Sequence, residues 1–339
     1  MRPLTARRVV WTCIGLGVLL LAAVLLALKL GAVPVSVSDL VLDLGRIVIG
    51  QADALPTDFR LIVVDLRLPR IVLGILVGAA LSVAGASFQA MLRNPLADPY
   101  VLGISNGAAV GSILTLIVAP RFALVTPLGA FVGAGATILA VYFLGQREGQ
   151  LDTATLLLAG IVSMSFFSGV IMFLMTTMTG RDLRGMAFWL MGDLSTPVSA
   201  AMQWIFIVGL LVGVGAIYST SADLNLMLTG EREAIHLGVD VTRVKLVVYV
   251  SASLLTALAV SVSGAIGYVG LLVPHIVRLI FGSDYRLLIP ASALCGAIAI
   301  VLADTLARTI VPPTELPVGA MTAMAGAPVF IFLLRRGLR

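Results

Sequence analysis

The sequence has few charged residues, and this shortage decides which class of protein it belongs to. Asp, Glu, Lys and Arg make up 12% of its 339 residues, hydrophobic residues make up 60%, and the mean hydropathy is +1.10. A soluble domain carries about 25% charged residues, so an ordinary globular protein is excluded. The net charge of +5 is interpreted as arginine that orients membrane helices, and no nucleic-acid partner is expected.

Cysteine, histidine and lysine are scarce as well. Cys13 and Cys295 both lie in apolar runs, so a disulfide framework is not expected, and two cysteines with two histidines do not predict a structural zinc site. The two lysines, Lys29 and Lys245, follow Leu28 and Val244. A P-loop lysine follows glycine, so ATP hydrolysis by this chain is excluded and an enzyme is not expected.

The sequence does contain long runs without any charge. A bilayer core of roughly 30 Å needs about 20 helical residues, and nine runs reach or approach that length. The run 246–277 exceeds one crossing, and we expect it to turn back at 264–267, which gives ten helices. The prediction is an all-α, polytopic membrane protein with one transmembrane domain over 1–339. The runs are 9–28, 71–92, 99–120, 122–146, 153–180, 194–222, 246–277, 287–303 and 316–334.

The positive charges predict the orientation of these helices. Arg2, Arg7 and Arg8 precede the first helix, and Arg335, Arg336 and Arg339 follow the last. Of the 22 Lys and Arg residues, 13 fall on the side of the two ends and 9 on the other side. By the positive-inside rule both ends are expected in the cytoplasm.

Two longer connections are candidates for partner binding. Residues 30–66 form the largest outer segment, and Pro69 predicts that the second helix starts there. Residues 223–245 form the largest inner segment and are expected to make a short pair of surface helices separated by Gly230 and Gly238. This inner pair is either a docking element or a solvated loop.

The apolar runs contain almost no ionisable side chains. Ionisable residues at mid-membrane usually serve a transport function, and the centres of these runs hold none. An ion-coupled mechanism therefore loses support. The Pro-containing turn at 94–99 lies at the inner end of the second helix and is either a gate or an ordinary tight connection.

Several motifs along nearly the whole chain together resemble one family, the FecCD/BtuC-like permease subunits of type II ABC importers, which carry iron-siderophores, haem or cobalamin. Each motif is weak alone, and their order is specific. They are Arg-Leu-Pro-Arg at 67–70, Gly-Ala-Ala-Leu at 78–81, Arg-Asn-Pro-Leu-Ala-Asp-Pro at 93–99, Leu-Gly-Ile-Ser-Asn-Gly-Ala at 102–108, Leu-Leu-Leu-Ala-Gly at 156–160, Phe-Trp-Leu-Met-Gly at 188–192, Leu-Gly-Val at 237–239, the segment 264–275, Leu-Ala-Asp at 302–304, Ala-Arg at 307–308, Glu-Leu-Pro-Val-Gly at 315–319 and Gly-Ala-Pro at 326–328.

The resemblance implies partners and a location. It implies a second permease subunit, as a homodimer or close heterodimer, with a pathway lined by the fifth and tenth helices. It also implies two ABC ATPase subunits that hold ATP and Mg²⁺, so that this chain has no cofactor of its own. A periplasmic or lipid-anchored binding protein would deliver the cargo in a bacterial or archaeal inner membrane.

The resemblance also assigns residues to roles. Docking of the binding protein is carried over to Arg67, Arg70 and Arg308, whose planar guanidinium groups suit carboxylates. The ATPase would engage 223–245 through Thr229, Gly230, Glu231, Ala234, Leu237 and Gly238. The gate and pathway residues are Asn94, Leu96, Thr153 and Ser163. The alternative function is an ion-coupled secondary transporter, with a non-transport membrane receptor behind it.

Overall fold

The computed structural model describes residues 4–31, 33, 35–48, 55–118, 125–147, 150–178, 180–311 and 314–337. Arg2 and Arg339, which entered the orientation argument, lie outside these residues. The helices, in chain order, are α1 (Ala6–Lys29), α2 (Val37–Val48), α3 (Thr57–Met91), α4 (Ile104–Val118), α5 (Val125–Leu144), α6 (Thr153–Thr177), α7 (Gly180–Leu190), α8 (Ala200–Ser219), α9 (Ser221–Met227), α10 (Glu231–His236), α11 (Val241–Ser263), α12 (Val269–Phe281), α13 (Tyr285–Thr309) and α14 (Val318–Gly337).

The predicted all-α, polytopic membrane fold is confirmed. Seven of these helices are long and apolar enough to cross a membrane, and with the shorter apolar helices α4, α12 and α14 their number equals the predicted ten. Within the described residues the strands are limited to the hairpin of β1 (Gln146–Arg147) and β2 (Gln150–Leu151). The predicted turn at 264–267 is also confirmed, because α11 ends at Ser263 and α12 begins at Val269.

The prediction that the second helix starts at Pro69 is confirmed for its regular α-helical part, Leu68–Met91, which has Pro69 in its first turn. The helix nevertheless extends further outward than predicted. Helix α3 begins at Thr57 and runs through Pro69 without interruption. Proline lacks an N–H group, which normally breaks an α-helix. Here residues Arg60–Arg67 form a π-helical stretch, and the Leu68 N–H donates to Val63 O, so the backbone changes register just before Pro69. Part of the expected outer segment 30–66 is therefore helical, as α2 and as the start of α3.

Helix α3 forms the centre of the bundle. It packs against α11, α12 and α13, and 89% of its most apolar stretch is buried, against 11% for α1 and 17% for α8. Small residues allow this close packing. A Cβ atom on Gly78 would lie 2.2 Å from Gly296 O, and one on Gly85 would lie 1.8 Å from Gly270 O.

The bundle has two faces. We call the face where α1 begins and α14 ends the terminal face; it carries the hairpin, α9 and α10. The opposite face carries α2 and α7, as the alternating direction of the ten spans requires. The outward sides of α6 and α14 expose large apolar residues, including Phe166, Phe173 and Met324. Such surfaces fit lipid or another membrane subunit and not water.

Candidate functional sites

The three arginines singled out by the sequence lie together on the opposite face. Arg67 and Arg70 are three residues apart at the start of the buried part of α3, and Arg308 lies in the last turn of α13. Helices α3 and α13 run antiparallel and pack closely, so these ends meet. A cavity of about 190 Å³ lies between them, lined by the three arginines, Glu315, Ile62 and Leu66 among others.

Carboxylates that the sequence reasoning had not assigned occupy this cluster. Asp304 Oδ1 lies 2.8 Å from Arg70 Nη2, and Asp304 Oδ2 lies 3.0 Å from Arg308 Nε. Glu315 Oε2 lies 2.6 Å from Arg70 Nη1. Three guanidinium groups and two carboxylates leave one net positive charge. We call Arg67, Arg70, Asp304, Arg308 and Glu315 the arginine cluster.

Arg67 has a structural task within the cluster. It is buried, and its guanidinium donates to the backbone oxygens of Leu28 and Val33, with a longer contact of 3.4 Å to Lys29 O. The last carbonyls of a helix have no partner inside that helix, and an arginine can supply one. Arg308 is equally buried, and its Nη2 donates to Ala27 O at 3.3 Å. Arg67 and Arg308 therefore both fasten the end of α1 to the bundle, and Arg70, with 12% of its side chain exposed, is the most open of the three.

The predicted pair of surface helices on the terminal face is confirmed as α9 and α10. Gly230 and Gly238 separate them from their neighbours with φ angles of +142° and +88°, which favour glycine. Asn225 anchors the pair, because its Nδ2 donates to Asp284 Oδ1 at 2.8 Å and its Oδ1 accepts from Tyr285 N at 2.9 Å. Hydrogen bonds from Arg286 and Asn225 hold the pKa of Asp284 below its usual value, so this anchor keeps its charge.

The exposed part of this pair includes large apolar side chains beside the charged Arg232 and Glu233. Leu237 is 62% exposed and Ile235 is 58% exposed, and Thr229 and Gly238 are exposed beside them. Ala234 and Gly230 are buried and shape the pair from within. Ile235 was missing from the predicted contact residues, although it follows the buried Ala234 on the short helix and is exposed.

Glu231, another predicted contact residue, faces inward. Its carboxylate lies 2.8 Å from Lys245 Nζ, in α11. The exposed apolar surface formed by Leu228, Ile235 and Leu237 is called the docking patch below.

The predicted gate residues fall in two places. Asn94 and Leu96 share the turn after α3, where Asn94 Oδ1 accepts from Leu96 N at 2.9 Å. Leu96 is 44% exposed. The turn continues into a 3₁₀ segment, Pro99–Leu102, that packs against α6, with Gly103 beside Ser163. Thr153 is the first residue of α6, next to the hairpin. The structure thus brings Ser163 to the turn, while Thr153 lies at the end of the same helix.

Comparisons with known proteins agree with one another. The model of the FecCD transport family matches residues 19–336. The cobalamin import system permease protein BtuC of Halobacterium salinarum is 38% identical over 99% of this chain and 98% of its own length. The hemin transport system permease protein HmuU of Yersinia pestis is 41% identical over 80% of this chain and 82% of its own.

A solved structure has the same fold. It is described as an inward-facing conformation of an ABC transporter assigned to the metal-chelate type, and it matches with a TM-score of 0.81 and 29% identity. The match covers 96% of this chain and 99% of the other.

Proposed function

The chain belongs to the FecCD transport family, and we propose from this that it is the membrane subunit of an ATP-driven importer for cobalamin, haem or an iron complex. The observation that carries the proposal is the agreement of the family, the named relatives and the matching transporter structure over nearly the whole chain. The chain is a multi-pass membrane protein that moves its cargo without making or breaking a covalent bond in it.

The energy for this transport would come from another polypeptide. Neither lysine of the chain stands in a P-loop. Two ABC ATPase subunits would bind ATP and Mg²⁺, and the chain would need no cofactor of its own. The docking patch fits this partner, because it is a compact apolar surface on a helix pair that hydrogen bonds hold to the α12–α13 turn.

The excess of Lys and Arg on the terminal side favours a cytoplasmic terminal face. The opposite face would then meet the periplasmic or lipid-anchored binding protein, in a bacterial or archaeal inner membrane. Its arginine cluster carries one excess positive charge around a cavity, which suits an acidic side chain of a partner. Docking is assigned chiefly to Arg70, the most exposed of the three arginines, while Arg67 and Arg308 also hold the carbonyl oxygens at the end of α1.

The cargo would pass along a pathway between two copies of the membrane subunit. Helices α6 and α14 expose apolar and small polar residues, among them Met164, Ser165 and Met324, and a second copy would cover the outer part of this surface. Because the pathway surface has few strongly binding side chains, a bulky chelate can pass along it and be released.

The experiment that tests this function is reconstitution in liposomes. With its ATPase and binding protein, the chain should take up a labelled corrinoid, haem or ferric siderophore, and vanadate should stop the uptake. Omitting either partner should abolish uptake. Transport by the chain alone under a proton or sodium gradient would instead support the ion-coupled alternative and contradict the proposal.

Glu315 offers a test of the docking site. Its carboxylate engages Arg70 and is 46% exposed, so it competes with any carboxylate that the binding protein presents. We expect Glu315→Gln to tighten docking by about fivefold at low salt, and the gain to shrink at high salt because charge interactions are screened. Binding of the purified binding protein, measured by surface plasmon resonance at two ionic strengths, checks this.

The control for this test is Asp58→Asn. It removes one exposed carboxylate from the same face outside the arginine cluster, and it should leave docking nearly unchanged. Docking that is unchanged or weaker in Glu315→Gln would contradict the assignment of the cluster.

A further inference from the structure

We propose that Lys245 is a positioning residue that transmits movement of α10 to the first turn of α6. The inference rests on the proposed function, in which the ATPase moves α10 and the start of α6 belongs to the inner gate. Lys245 lies near the start of α11 and contacts both elements. Its Nζ is 2.8 Å from the Glu231 carboxylate of α10 and 3.5 Å from Leu151 O of β2.

The burial of Lys245 calls for a specific partner. The residue is 8% exposed, and it is one of only two lysines in the chain. A buried ammonium group is costly unless a carboxylate and further hydrogen bonds compensate for the lost water. The compensation comes from two different elements, and neither belongs to the helix that carries Lys245. The ammonium group therefore links three segments that are separate in the sequence.

The part of α11 that carries Lys245 is held in place by Tyr249. Tyr249 lies one turn further along α11, and its hydroxyl donates to Ile138 O in α5 at 2.8 Å. The ring of Tyr249 also lies against Tyr142, with ring centroids 5.7 Å apart. Helix α11 is thus held to α5 just beside Lys245, so a shift of Glu231 displaces the flexible side chain of Lys245 before it displaces the helix.

The other end of the link is joined to α6. Leu151 precedes Asp152, whose carboxylate caps α6 by accepting hydrogen bonds from Thr155 N at 2.9 Å and Thr155 Oγ1 at 2.5 Å. Those hydrogen bonds are the main reason why the pKa of Asp152 is lowered, and the charges of Arg147 and Lys245 add to the effect. Displacement of the Leu151 carbonyl therefore carries Asp152 and the start of α6, including Thr153, with it.

The surroundings leave room for movement. A cavity of about 270 Å³ separates α10 from the hairpin, and Glu231, Ile235, Leu151, Tyr142 and Lys245 are among its lining residues. Close packing would couple the two elements through many contacts at once. Across a cavity, the ammonium group supplies a polar contact to each side, and a two-state shift of α10 changes which of these contacts is made.

The test uses the complete transporter in liposomes, with ATP hydrolysis and uptake measured on the same samples. In Lys245→Met we expect ATP hydrolysis within about twofold of wild type and a fall in cargo transported per ATP of about fivefold or more. Arg243→Met is the matched control, because it removes an exposed cation two residues earlier on the same helix; both rates should stay at wild-type levels.

A charge exchange separates this role from simple anchoring of α10. Glu231→Lys with Lys245→Glu restores the ion pair but turns a carboxylate towards Leu151 O, so the exchanged protein should stay uncoupled. Recovery of coupling in the exchange, or equal losses of hydrolysis and uptake in Lys245→Met, would overturn the inference. Normal coupling in Lys245→Met would overturn it too. Failure of the wild-type complex to transport would instead refute the proposed function.

Discussion

Asp304→Asn is expected to destabilise the protein by about 3–5 kcal/mol, the usual cost of removing one partner from a buried ion pair. Asp304 is 2% exposed and is the carboxylate shared by Arg70 and Arg308. Its neutralisation removes the carboxylate from the buried Arg308 guanidinium and leaves Arg70 with Glu315 alone. The change should appear as a lower melting temperature of the detergent-solubilised protein and as unfolding at lower SDS concentration.

Two further variants make this prediction sharper. Asp65→Asn removes an exposed carboxylate from α3 on the same face, and we expect a change within about 0.5 kcal/mol. Replacing Arg70, Asp304 and Arg308 together by apolar residues of similar volume should recover much of the stability, because a buried ionic group is often dispensable as a whole. If Asp304→Asn proved as stable as Asp65→Asn, the packing of charges in the arginine cluster would be wrong.

Leu237→Asp is expected to weaken binding of the ATPase subunits by about thirtyfold or more, which corresponds to loss of a contact worth about 2 kcal/mol. Leu237 is the most exposed large apolar residue of the docking patch, at 62%. A carboxylate there would have to be buried without a partner when the ATPase binds. The amount of ATPase that copurifies at nanomolar concentration, and the ATP hydrolysis of the purified complex, measure the effect.

The matched control is Leu42→Asp in α2. Leu42 is also 62% exposed, but it lies on the opposite face. We expect the ATPase to bind this variant as it binds the wild type. Equal losses in the two variants would point to general damage from an added charge, and full binding in Leu237→Asp would remove the docking patch from the ATPase interface.

The sequence predicted the membrane architecture well because that architecture follows from composition. Backbone polar groups cannot remain unpaired in a bilayer, so each charge-free run of sufficient length must be a helix. The turn at 264–267 followed from length alone, since 32 residues exceed one crossing. Pro69 marks the start of the regular α-helical part of α3, but no sequence signal marked the π-helical stretch that extends the helix outward to Thr57.

The sites were predicted in part. Motifs located the three arginines, but the partners of Arg70 lie 234 and 245 residues further along the chain, and no local pattern indicates such pairs. The same holds for Lys245, which the sequence argument used only to exclude a P-loop. Glu231 was assigned to the ATPase contact from the family resemblance, whereas its carboxylate, 34% exposed, is paired with Lys245.

The π-helical stretch Arg60–Arg67 also has a geometric consequence for the outer end of α3. Each residue of an α-helix rotates the chain by about 100°, so one residue taken up in a wider turn changes the angular phase between the two parts of the helix. The outer part can thus point Arg67 at the end of α1 while the inner part keeps Gly78 and Gly85 against their partners. The close packing at Gly78 and Gly85 and the direction of Arg67 can therefore be set independently, although one continuous helix carries all three residues.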